Sequence, residues 1–151
     1  MSLFRKKPVD YFSAPEKEMI TGAIHAAEQA SSGEVRVFIE SRCRFVDPVD
    51  RANEVFHRLK MEATTERNAV LLYVAMKDRQ LALWGDTGIH EKVGDAFWSA
   101  QVKEILGHFT RDNYAEGLSR VITEVGQMLG HYFPHKGDAK NELPDEIVFG
   151  K

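Results

Sequence analysis

Glu34, Asn68, Asp86, His90 and Glu91 are the residues of this 151-residue chain whose types and positions point most directly to chemistry. Glu34 opens one apolar run, Asn68 precedes a second, and Asp86 follows a third within Gly85-Asp86-Thr87-Gly88. If the first two runs are parallel strands and the third turns back, all three residues meet at one end of a sheet. His90 and Glu91 follow closely enough to join them. Carboxylates and backbone carbonyls at a loop-rich edge suit a hard cation such as Ca2+ or Mg2+. Asp86, Glu34 and Glu91 are therefore the candidate metal ligands. Plainer readings stand beside this one: an aspartate in a Gly-rich turn bonds its own backbone, and a glutamate at a strand edge stays solvated.

The opposite end carries Glu40, Asp47, Asp50 and Asp78. It is the C-terminal edge of the parallel pair, where open α/β sheets usually place ligands. Helix capping and the helix dipole account for Asp47 and Asp50, and a hairpin turn accounts for Asp78. Other chemistries find little support. Cys43 and Arg51 are eight positions apart, too far for a compact phosphate cradle, and no Asp-x-Asp pair or Gly-Lys phosphate loop occurs. Phosphate-ester hydrolysis would thus depend on a metal-activated water. His131 and His135 have zinc-like spacing, but Pro134 interrupts their helical face. His25, His57 and His108 read as boundary or surface residues of amphipathic helices, and Trp84 and Trp98 as core anchors. No organic cofactor is indicated.

The elements that must position these groups follow from pattern. Ser13-Ala14-Pro15-Glu16 is a capping box that starts a helix with Met19, Ile20, Ala23, Ile24 and Ala27 at helical spacing. Ser31-Ser32-Gly33 stops it. Glu34 to Glu40 reads as a strand. Asp47 caps a second helix with Pro48 in its first position and an apolar stripe of Ala52, Val55, Phe56 and Leu59. The continuously apolar Ala69–Met76 suits a central strand covered on both faces. The short break Lys77-Asp78-Arg79 then permits only an antiparallel return over Gln80–Trp84. The pattern breaks at residues 85–88. Two more helices follow, the second with Asp112 as the expected N-cap and Pro134 as its stop. The sum is a three-layer α/β/α sandwich around a small mixed sheet, with a parallel βαβ unit and an antiparallel hairpin. Residues 1–12 read as an irregular lead-in and 13–133 as the domain. Residues 134–151 read as an extended tail packed on the body, pinned by Ile147, Val148 and Phe149.

Composition excludes several function classes. A net charge of −3 argues against general nucleic-acid binding. The basic run Arg5-Lys6-Lys7 reads as a solvated terminal segment. Pro8-Val9-Asp10 stands where a signal peptide would need apolar residues, and no apolar run reaches the roughly 20 residues of a membrane helix. With the single cysteine Cys43, these features give a cytoplasmic location and no membrane insertion as the expectation.

The combination at residues 64–98 resembles the TPM domain family. Its parts are Thr64-Thr65-Glu66-Arg67-Asn68-Ala69 leading into Val70–Ala75, Lys77-Asp78-Arg79, Gly85-Asp86-Thr87-Gly88-Ile89 and Phe97-Trp98. Ser32-Gly33-Glu34-Val35-Arg36-Val37 and Asn141-Glu142-Leu143-Pro144-Asp145 extend the likeness to roughly residues 12–150, of the short stand-alone bacterial type. The resemblance implies an α/β/α sandwich. It further implies a family in which chloroplast relatives are associated with photosystem II repair and acid phosphatase activity. Some members bind calcium or another divalent ion, and others are accessory subunits of membrane proteins. Many members carry a signal peptide and an anchor, and this chain departs from that pattern. Two functions stay open: a non-catalytic module that binds a protein partner and carries a Ca2+ or Mg2+ site, or a metal-dependent phosphomonoesterase.

Overall fold

The computed structural model describes residues 7–44, 47–109, 113–134 and 147–150. The order of elements is α1 (Ala14–Ala30), β1 (Glu34–Glu40), α2 (Pro48–Arg58), β2 (Ala69–Ala75), β3 (Gln80–Gly85), α3 (Thr87–Phe109), α4 (Tyr114–Tyr132) and β4 (Ile147–Phe149). A 3-10 turn over Pro8–Tyr11 leads in. Both halves of the expected capping box form: Ser13 Oγ accepts from the Glu16 amide at 3.2 Å, and the Ser13 amide donates to Glu16 at 2.8 Å. Asp47 caps α2 by accepting from the Val49 amide at 2.9 Å.

The sheet has the order β3-β2-β1-β4. β1 and β2 are parallel, from Glu34 opposite Ala69 to Glu40 opposite Ala75. β3 returns antiparallel on β2 without a break from Ala75–Gln80 to Val70–Gly85. β4 runs parallel to β1 on the other edge. Alternation along the strands divides the core in two. Val35, Val37, Ile39, Val70, Leu72, Val74, Leu81 and Leu83 face α1, α3 and α4. Phe38, Leu71, Tyr73 and Ala82 face Ala52, Val55 and Phe56 of α2. This is the α/β/α sandwich, with β2 buried along its whole length. Small residues let the two main helices of one layer touch: a Cβ on Gly126 would stand 2.6 Å from the Cβ of Ala27.

Four expectations need amendment. The Gly85–Gly88 block is not wholly a loop, because α3 begins at Thr87 and breaks instead at Gly94, whose φ of 75° no L-residue adopts cheaply. The N-cap of α4 is Asn113, and Asp112 lies outside the described residues. Glu34, one of whose readings was a solvated strand end, is only 2% exposed. Ile147–Phe149 do more than pin a tail, since they extend the sheet by a strand. Most of the rest of that tail, 135–146, lies outside the described residues. No described helix is long and apolar enough to cross a membrane.

Candidate functional site

The register brings Glu34 and Asp86 to one rim. Glu34 stands opposite Ala69, and the Asp86 amide donates to the Ala69 carbonyl at 2.9 Å. Asp86 is 4% exposed, and a guanidinium engages both of its oxygens. Arg67 donates from Nε to Oδ2 at 2.6 Å and from Nη2 to Oδ1 at 2.9 Å. Oδ1 also accepts from the Thr87 amide at 2.8 Å, the local backbone bond that a turn aspartate makes. The hydrogen bond to Asp86, reinforced by its charge, raises the pKa of Arg67. Glu91 is exposed on α3. His90 accepts at Nδ1 from Trp98 Nε1, 3.0 Å away. Among the described residues, no three His, Cys, Asp or Glu side chains gather as a metal-ion ligand set. As arranged, Asp86 answers a cation the chain itself supplies.

The glycines of the block explain why it is built this way. The Gly88 amide donates to the Arg67 carbonyl at 2.8 Å. A Cβ on Gly88 would lie 2.1 Å from the Glu66 carbonyl oxygen and 2.6 Å from that of Arg67. A Cβ on Gly85 would lie 2.3 Å from the Trp98 ring. Gly85-Asp86-Thr87-Gly88 is thus a latch that clamps the 64–68 turn to the start of α3 and seats Trp98 against the end of β3. Upstream, Ser32 Oγ donates to Glu66 at 2.6 Å and accepts from Asn68 at 3.2 Å, extending the latch to β1.

At the opposite rim Glu40, 6% exposed, is held on the α2 face. Arg51 of α2 donates to both its oxygens, each at 2.9 Å, and the Tyr73 hydroxyl donates to Oε2. Arg51 also pairs with Glu54. Asp78 accepts from the Cys43 amide at 2.7 Å. The Glu40–Arg51–Tyr73 group was missed from sequence. The available signal was a glutamate at the end of an apolar strand, with an arginine one turn into the following helix. Burial, then the bond to Glu40, pushes the Tyr73 phenol well above its usual range.

That shift has a measurable sign. Above the ordinary tyrosine pKa of about 10 the unfolded chain gives up a proton that folded Tyr73 keeps. Stability is therefore full below pH 10 and falls as pH rises, by up to about 1.4 kcal/mol per pH unit from this group. The urea midpoint should fall further between about pH 9 and about pH 11 in the natural chain than in Tyr73→Phe. Equal slopes would mean that Tyr73 ionises freely.

Between the two rims the outer edge of β3, which no other described strand pairs, forms the floor of a groove of about 970 Å³. α2 contributes Val49 and His57 to one wall; α3 contributes Trp98, Val102 and Leu106 to the other. Val49 and Leu106 are each 41% exposed, two of only a few large apolar side chains that the described residues leave in water. Sequence reading did not find this groove. Pattern tells where β3 runs but not that the later described strand, β4, pairs with β1 instead.

Comparison with known proteins agrees with this architecture. The family model described as TPM domain matches residues 6–128. The solution structure of the BA42 protein from the psychrophilic bacterium Bizionia argentinensis is 39% identical, covers 99% of this chain and 100% of its own, and superposes with a TM-score of 0.85. The N-terminal domain of a P. gingivalis protein is 22% identical over 83% of this chain and 82% of its own, with a TM-score of 0.69. The N-terminal domain of a Corynebacterium glutamicum protein is 17% identical over 94% and 90%, with a TM-score of 0.64. These last two share the fold. No curated protein matches the sequence.

Proposed function

The chain belongs to the TPM domain family, and from that premise we propose that it is a non-catalytic binding module whose receptor surface is the β3-edge groove. One observation carries the reading. Exposed apolar side chains line an open groove whose floor is a strand edge that no other described strand covers. Patches of this kind mark sites of association. The buried carboxylates of Asp86 and Glu40 at the two rims, by contrast, are already held by protein groups. Asp86 is held by Arg67, and Glu40 by Arg51 and Tyr73.

The competing reading, a metal-dependent phosphomonoesterase, requires a metal-activated water. A Ca2+ or Mg2+ bound by Glu34, Asp86 and Glu91 would compete with Arg67 for the oxygens of Asp86. The test measures hydrolysis of para-nitrophenyl phosphate with Ca2+, Mg2+ or Mn2+, in the natural chain and in Asp86→Asn. Turnover is expected to stay at the metal-free background in every arm. Metal-dependent turnover that Asp86→Asn abolishes would replace the binding reading with the enzymatic one. Melting curves from the same samples report on the cation separately: stabilisation by Ca2+ or Mg2+ that Asp86→Asn removes, without turnover, adds a cation site to the module.

A further inference from the structure

β3 has the makings of a template for another strand. Its sequence, Gln-Leu-Ala-Leu-Trp-Gly, contains no proline and no charged residue. Its six-pair register with β2 contains no bulge. Proline, charge and bulges are the usual means by which proteins protect a sheet edge, and this strand uses none of them. The antiparallel alternation determines which backbone groups are available. The Asp86 amide bonds the Ala69 carbonyl. Stepping by two, Trp84, Ala82 and Gln80 also turn their N–H and C=O groups toward β2, opposite Leu71, Tyr73 and Ala75. The backbone groups of Leu81, Leu83 and Gly85 therefore point to the open side, along a strand about 20 Å long.

We propose that the open edge of β3 receives an extended peptide segment of a partner protein as an added strand, with apolar residues at alternate positions and acidic residues among the rest. This rests on the groove being the binding surface, and it names what binds there. The alternation follows from strand geometry: side chains of the added strand point by turns to the α3 wall of Trp98, Val102 and Leu106, which takes the apolar set, and to the α2 wall, where Val49 stands with His57. The acidic preference follows from charge. The chain as a whole carries −3, yet the groove is lined by Arg67, Arg79 and Lys103 against Asp86 and Asp95. Asp86 is held by Arg67, which leaves exposed Arg79 and Lys103 without an ion-pair partner among the described residues.

A second copy of the chain fits less well. A two-fold contact places the same patch against itself. Joining β3 to β3 would set one concave groove of about 970 Å³ against another and leave a void between them. A single extended chain fills the groove.

The test begins with a phage-displayed library of random dodecapeptides selected on the full chain. Enriched sequences should alternate β-branched or aromatic residues with positions rich in Asp and Glu. A synthetic copy of the leading peptide should slow hydrogen exchange at the amides of Leu81, Leu83 and Gly85. N-methylation of its alternate nitrogens in one register should weaken binding about tenfold or more, while the other register leaves it intact. Leu106→Asp at the exposed rim should also weaken binding. Arg79→Glu with Lys103→Glu should remove the preference for acidic peptides.

Failure to enrich any sequence overturns the proposal. So does binding that is indifferent to both N-methyl registers, although the groove would then survive as a binding surface for another ligand. A concentration-dependent dimer that protects the same three amides would make a second copy the occupant. Metal-dependent phosphatase turnover would defeat the earlier reading and is measured independently.

Discussion

Methionine in place of Arg51 is expected to lower stability by about 3–5 kcal/mol, the cost of leaving a buried charge without its partner. The side chains of Arg51 and Glu40 are only 12% and 8% exposed, so water screens the pair weakly. Both Glu40 oxygens lie 2.9 Å from guanidinium nitrogens. Without Arg51 the carboxylate keeps the Tyr73 hydroxyl as its side-chain partner among the described residues. Glutamine at position 40 in the Arg51→Met background should recover part of the loss, because a neutral amide is cheaper to bury than an ion. Urea denaturation of the natural chain, the single variant and the double variant measures this. A loss in Arg51→Met below about 1 kcal/mol, the value of an exposed pair, would mean that the network is open to water in solution.

Alanine in place of Gly88 should destabilise by about 3 kcal/mol, the upper part of the range for overpacked sites. The added methyl would meet two backbone oxygens, at 2.1 Å and 2.6 Å, and neither belongs to a side chain that can swing away. Relief requires moving the 64–68 turn, which also pulls Arg67 from Asp86. Gly22 supplies the control. It lies exposed within α1, and a Cβ there would meet nothing within 4 Å. Gly22→Ala should therefore stabilise by about 0.5–1 kcal/mol through helix propensity. Opposite signs in denaturant midpoints are the expected result. A neutral Gly88→Ala would show that the latch is not held closed.

Those two sites differ in how far sequence could reach them. The Gly-Asp-Thr-Gly block was visible as a family pattern and as a break in periodicity, and its carboxylate was placed on the same rim as Glu34. Its nearest partner was not visible. Arg67 looks like an ordinary turn residue, and only the left-handed turn at its φ of 53° brings it back onto Asp86. In sequence, Glu40 is one acid among several at the other rim. Its pairing with Arg51 depends on α2 crossing the face on which even-numbered residues of β1 lie, which strand and helix patterns do not record.

What the sequence alone determined was local and periodic. The capping box at Ser13, the Asp47–Pro48 helix start, the all-apolar β2 and the three-residue break before β3 each encode their own element. Together with the handedness of a βαβ crossover, they leave one arrangement for β1, β2 and β3. Tertiary structure decided what those elements leave exposed. Pairing of β4 beside β1 instead of β3 left the outer edge of β3 without a strand among the described residues, and the approach of α2 and α3 on its two sides made that edge a groove. A strand's own residues fix its hydrogen-bonding direction and its faces. Which of its two edges is covered depends on chain segments distant in sequence, and their placement is a free-energy balance over the whole molecule.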